Sequence, residues 1–292
     1  MQIHYWIIHI LIIIFLIGGL VFKATTIFEG NITKFGDRKI LSKWKKFWYF
    51  IGRFFKNFFS RKFWPLVLGL FLDVAFHFKL LRENPLKWFI HTLLFWGLLL
   101  LFILSILSGL AVEILPFFGY ETGMNWFVDM LADMDNRWTA LLNDGLNVII
   151  AVGLILAFIK GFVQKRKIKM FESLDILLIC FIALILISGW FTEAARYLAE
   201  ETPYYIAKFG FLGYWLSIIL KLIAPDTGIR IWEVMHEWFW HIHVILVWLS
   251  FLYIPFSKLS HVIFSSIAGS INSMEKRLQI KNSLKEQGYA KS

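Results

Sequence analysis

The chain has 292 residues, is 59% hydrophobic and 18% aromatic, and carries 30 basic against 20 acidic residues for a net charge of +10. Its charges fall in blocks separated by long apolar runs, which excludes an ordinary water-soluble globule and points to a membrane protein. The basic excess requires no nucleic acid, because positive loops on the cytoplasmic side and anionic lipid headgroups account for it.

Five stretches are long and apolar enough to cross hydrocarbon: residues 3–22, 87–110, 142–160, 173–192 and 236–256. The fold class expected is therefore an all-α integral membrane bundle of five transmembrane helices, with interfacial helices between them. The first stretch, "MQIHYWIIHILIIIFLIGGLVF", has no basic residue ahead of its apolar run and no small-residue cleavage site, so it reads as a retained span. Between the first two spans, "WKKFWYFIGRFFKNFFSRKFW" (44–64) mixes aromatic and basic residues as a helix lying among lipid headgroups does. The following "PLVLGLFLDVAFHF" is short for a span and contains Asp73, which suits an interfacial or re-entrant segment.

The second span opens with "NPLKWFIH", where Asn84 is a good N-cap and Pro85 suits the first helical position. Residues 111–141 are acidic and soluble in character. Within 193–235, "IAKFGFLGYWLSIILKLIA" could pass for a sixth span, but that count would reverse the last helix and expose the basic tail outside. It reads instead as a helix on the outer surface. The sequence thus divides into a transmembrane domain over 1–260 and a basic cytoplasmic tail over 261–292.

Orientation follows from the lysines and arginines of the connections. Fourteen lie between Lys23 and Lys87, five between Lys160 and Lys169, and six after Tyr253, so 25 of 30 share one side. The N-terminus is expected outside and the C-terminus in the cytoplasm, in a multi-pass protein of the cell membrane. "NIT" at 31–33 then faces the cytoplasm and escapes glycosylation.

Cys180 is the single cysteine, so these residues supply neither a disulfide nor the thiolates of an iron–sulfur cluster. The eight histidines are more informative: His4, His9, His77, His91, His236, His241, His243 and His261. A polar group in hydrocarbon is costly unless it is paired or lines a site. His243 and His261 are eighteen residues apart, five whole helical turns, which puts both on one face roughly 27 Å apart. That separation suits two stacked haems and no single metal ion. A facing imidazole at matching depth is needed for each iron: His91 pairs with His261 at the cytoplasmic end, and His9 is the candidate opposite His243. Histidines that merely hydrogen-bond within the bundle are the other reading, most of all for His9. "HEWFWHIH" (236–243) does not make a zinc protease site, since its histidines lack the four-residue spacing that places two on one helical face.

With these residues in view, "HVILVWLSFLYIPFSKLSH" (243–261) resembles the last helix of the membrane cytochrome b of respiratory nitrate reductase, its gamma subunit. "NPLKWFIHTLLFWGLLLLFI", "LLNDGLNVIIAVGLILA" and "DILLICFIALILISGWFTEAARY" resemble more closely the cytochrome b subunits of heterodisulfide-reductase-like complexes, including the one associated with dissimilatory sulfite reduction. The resemblance implies a quinone-linked dihaem b cytochrome of an anaerobic respiratory chain, docked to a cytoplasmic iron–sulfur subunit, with further membrane or outer-side redox subunits as additional partners. It implies haem ligation by His91, His243 and His261. Where the nitrate reductase pattern has a further ligand ten residues after the first, this chain has Leu101. Glu193 and Arg196, in "SGWFTEAARY", are the residues expected to exchange a proton with a quinol and to fix the resulting charge, or else to form an ion pair at a helix end. A non-redox transporter or assembly anchor with structural or proton-relaying histidines is the other function class these residues allow.

Overall fold

The computed structural model describes residues 3–27, 42–60, 63–69, 76–133, 135–165, 173–257, 260 and 279. The described residues contain helices and turns and no strand. Asp73, the 31–33 tripeptide, His261 and nearly all of the 261–292 tail lie outside them. The chain divides into two compact units, residues 1–88 with 248–292, and residues 89–247.

In the first unit, α1 (Ile3–Ile27) is followed by α2 (Lys43–Phe58), α3 (Phe63–Gly69) and α4 (Phe78–Glu83). The aromatic and basic segment expected at a headgroup boundary folds as the amphipathic α2. Its Phe47 and Ile51 pack against Val21 and Ala24 of α1, while Trp44, Trp48 and Phe55 stay exposed. A short 3₁₀ turn, Ile254–Phe256, packs on α1 so closely that a β-carbon on Gly19 would stand 2.8 Å from the Pro255 ring. Only a residue without a side chain admits that approach.

The remaining helices are α5 (Pro85–Glu113), α6 (Trp126–Ala132), α7 (Arg137–Lys165), α8 (Ser173–Ala199), α9 (Tyr204–Ala207), α10 (Phe211–Ile223) and α11 (Ile229–Tyr253). Asn84 caps α5 as its sequence predicts: its Oδ1 accepts the Lys87 N–H at 2.9 Å, and Pro85 takes the first helical position. In the second unit Ile150, Leu154 and Leu186 form a small core to which α5 adds Leu94, Leu98 and Leu101.

Five helices are long and apolar enough to cross a membrane: Ile7–Thr25, Pro85–Glu113, Arg137–Gly161, Leu177–Ala199 and Ile229–Phe256. They match the five expected spans, and the protein is an all-α, multi-pass membrane protein. Large side chains along them, among them Ile14, Phe102 and Phe158, are exposed, as suits a surface turned toward lipid. The second to fifth helices run beyond the apolar stretches, so Glu193 and Arg196 belong to α8 itself and not to the connection after it. The thirteen residues of α10 are too few to span. That helix packs on α8 with Gly213 and Ser217 buried, so it is docked on the bundle and not set apart from it.

Candidate functional site

The chemistry-bearing side chains gather on α8 and what packs against it. His243, on α11, brings its Nδ1 to 3.1 Å from the Ile185 carbonyl of α8 and 3.0 Å from the Ser188 hydroxyl. The hydroxyl itself donates to the Ile185 carbonyl at 3.0 Å. A carbonyl can only accept, so Nδ1 carries the proton and Nε2 of the neutral ring keeps its lone pair. Gly189 makes room for this ring: a β-carbon there would lie 3.2 Å from His243 Cε1.

His236, seven residues earlier, repeats the arrangement. Its Nδ1 lies 3.0 Å from the carbonyl of Thr192, which is seven residues after Ile185. Seven residues are close to two turns, so two imidazoles on one face of α11 are tied at matching intervals to α8. Sequence reasoning passed over His236 once the zinc motif failed, although its seven-residue spacing from His243 was a signal.

The other predicted ligands differ in their surroundings. His91 of α5 stacks on Phe95 with ring centroids 6.2 Å apart, and its Nε2 is shut off from solvent. In the first unit, His9 has both ring nitrogens engaged. Its Nδ1 lies 2.7 Å from the Tyr5 carbonyl, and its Nε2 accepts the Trp248 indole N–H at 3.3 Å. Leu101 occupies the position that holds a ligand in the nitrate reductase pattern, and it packs in the small core of the second unit. His241 turns back to the Glu237 carbonyl of its own helix at 2.6 Å, and His77 adopts left-handed backbone just before α4.

The second group of polar residues is built around Glu193. The Tyr197 hydroxyl, one turn on along α8, donates to Glu193 Oε1 at 3.0 Å. The carboxylate lies on the first turn of α10, where a β-carbon on Gly213 would be 2.5 Å from Glu193 Oε2. Gly210 faces Tyr197 and Glu193 with the same lack of room. From α7, Asp144 reaches that turn too: its Oδ2 accepts the Leu212 N–H at 2.6 Å. Asp144 is wholly buried. Two carboxylates therefore meet the amide-bearing end of α10, where the helix dipole favours negative charge.

Arg196, which sequence places beside Glu193 at a quinone site, is directed elsewhere. Its guanidinium lies 2.9 Å from both Asp135 and Glu200 and stacks over the Tyr197 ring at 4.8 Å. Asp144 and Tyr197 are members of the Glu193 group that sequence reasoning missed. Asp144 carried its own signal, an acid inside a stretch read as a span.

Over 204 residues the chain is 25% identical to an EtfAB:quinone oxidoreductase of Syntrophomonas wolfei, an alignment covering 66% of this chain and 26% of that protein. The chain also resembles heterodisulfide reductase subunits. It is 26% identical over 204 residues to a subunit of the dihydromethanophenazine:CoB–CoM heterodisulfide reductase of Methanosarcina acetivorans, covering 70% of this chain and 65% of the relative. The corresponding protein of Methanosarcina thermophila is 26% identical over 132 residues, covering 45% and 47%. The chain thus spans between about a quarter and two thirds of the length of these curated relatives. The findings support the heterodisulfide reductase side of the sequence resemblance and not the nitrate reductase gamma subunit. No family model matches the chain, and no solved structure matches it.

Proposed function

We propose that this protein is a b-type cytochrome subunit that carries electrons between a membrane quinone and a cytoplasmic iron–sulfur subunit of a respiratory complex. The observation that carries the reading is the fixed imidazole of His243. In a helix long and apolar enough to span, its Nδ1–H is held by the Ile185 carbonyl, so that Nε2 is presented as a ligand atom. An outer partner that fixes tautomer and ring orientation is the usual companion of a metal-bound histidine. The names of the relatives, a quinone oxidoreductase and subunits of a heterodisulfide reductase, support the electron carrier and the kind of complex.

His243 and His91 suit haem: each is a half-buried imidazole within a spanning helix. The spacing of the histidines in the sequence assigns His91 and His261 to the cytoplasmic-side haem and His243 and His9 to the outer one. The outer pair requires Trp248 to give up its hydrogen bond to His9 Nε2. When bound, haem supplies reversible one-electron storage, while the protein sets axial ligation and burial. Glu193 is the quinone-side proton group, and Arg196 holds the end of α8 in place through Asp135 and Glu200. The N-terminus lies outside, and the basic 261–292 tail offers an acidic redox partner a docking surface in the cytoplasm.

The test is haem stoichiometry by pyridine haemochrome on purified protein, with reduced-minus-oxidised spectra of the wild type, His91→Ala and His243→Ala. Two haems per chain, falling to one in each variant, is the expected result. Absence of haem from a well-folded wild type purified from haem-replete cells overturns the reading in favour of a transporter or assembly anchor.

A further inference from the structure

We propose that Asp144 and Glu193 hold a single proton between them and form the proton-exchanging centre through which a quinone hydroxyl or carbonyl communicates with this protein. The exchange half rests on the quinone reading above; the shared proton rests on the burial of Asp144 and on the common approach of both carboxylates to the first turn of α10.

Asp144 is 0% exposed; the Leu212 N–H donates to its Oδ2 and the Asn143 side chain also reaches the carboxylate, while Oδ1 is buried with no donor in hydrogen-bonding geometry. A buried carboxylate oxygen with no donor is costly when ionised, and far less so when it carries or receives a proton. Glu193 meets the same first turn of α10, where it accepts from the Tyr197 hydroxyl and from the Gly213 N–H. The charge available to hold two anions there is small. The helix end supplies about half a positive charge. Arg196 is committed to Asp135 and Glu200, and Lys208 lies over the rings of Tyr204 and Phe209. From α10 come only backbone amides, from α7 the neutral Asn143 and Asn147 flank Asp144, and from α8 Tyr197 is a neutral donor.

Two adjacent carboxylates with so little compensation ionise one at a time, the proton on one neutralising the repulsion felt by the other. A cation between them is less suited, since it needs several free oxygen ligands and two of these oxygens already accept from N–H and O–H donors. The pair has an inner and an outer member. Asp144 is enclosed, whereas Glu193 is only half-buried and is the one that meets a quinone. With one proton aboard, the pair takes another from a hydroquinone hydroxyl or gives its own to a quinone carbonyl.

The experiment is infrared spectroscopy of the purified full chain at neutral pH in H2O and D2O, for wild type, Asp144→Asn and Glu193→Gln. Both substitutions are close in shape to the native acid, and haem content and elution volume report that each variant is folded. A deuterium-sensitive carboxylic C=O band in the wild type, lost or displaced in both variants, is expected. No such band, or one that survives unshifted in either variant, overturns the shared proton. In parallel, haem reduction by a hydroquinone such as menadiol is followed; Glu193→Gln should slow it about a hundredfold. An unslowed variant overturns the exchange role. A wild type that shows the band but is not reduced by menadiol at all sinks the quinone reading itself and the exchange role with it, while the shared proton stands.

Discussion

Trp248 donates its indole N–H to His9 Nε2 across 3.3 Å, the two rings meeting edge to face with centroids 5.2 Å apart. The atom that would coordinate iron is therefore engaged in the described arrangement. Trp248→Phe frees it. If His9 is the fourth axial ligand, His9→Ala lowers haem from two to one per chain while Trp248→Phe leaves two, as a pyridine haemochrome assay reads. Equal haem in all three proteins assigns His9 to Trp248 alone.

Gly189 bears on His243 in a way that can be graded. A methyl there stands 3.2 Å from Cε1, so Gly189→Ala should be tolerated with a small shift of the imidazole. Gly189→Val adds branches that the ring must evade, breaking the Nδ1–H bond to Ile185 at a cost of about 1 kcal/mol. The expected readout is a changed midpoint potential for one haem in the alanine variant and loss of that haem in the valine variant.

Leu101→His tests whether the nitrate reductase pattern can be restored by one change. Leu101 packs with Ile150, Leu154 and Leu186, so the imidazole replaces apolar contacts with a polar ring. We expect a lower thermal midpoint, equivalent to about 2 kcal/mol or more, and no added haem. A third haem, or a tighter outer one, contradicts this.

Gly213→Ala should disable the carboxylate pair without removing a carboxylate. Its β-carbon would lie 2.5 Å from Glu193 Oε2 and 2.7 Å from Cδ, a distance that only displacement of Glu193 relieves. The infrared carboxylic band is expected to shift, and hydroquinone-driven reduction to slow toward the Glu193→Gln rate.

Arg196→Gln removes two ion pairs from the end of α8, to Asp135 and to Glu200. The guanidinium is mostly enclosed, so a loss of about 1–3 kcal/mol is expected in thermal unfolding. The Glu193 infrared band should stay in place, which separates a brace from a quinone ligand.

The spans were legible because twenty or so apolar residues in a row have few other physical uses, and the start of α5 because Asn84 and Pro85 carry their capping chemistry in their own side chains. The docking of α10 was not legible. A thirteen-residue apolar helix reads alike whether it rests on lipid or on protein, and only the burial of Gly213 and Ser217 distinguishes them. Asp144 was overlooked although it stood in a predicted span, since its partner is the Leu212 backbone amide, which no residue type announces. Similarly, the pairing of His9 with Trp248 joins residues 239 positions apart. Spacing within one helix could place His236 and His243 on a common face, but not say that Thr192 and Ile185 would receive them.

That double attachment also has a mechanical side. Two imidazole clamps at equal steps act as a pair of teeth: α11 cannot slide along α8 by a fraction of a turn without releasing both together. Sliding at this seam therefore opens both hydrogen bonds at once, at a cost of about 1 kcal/mol each.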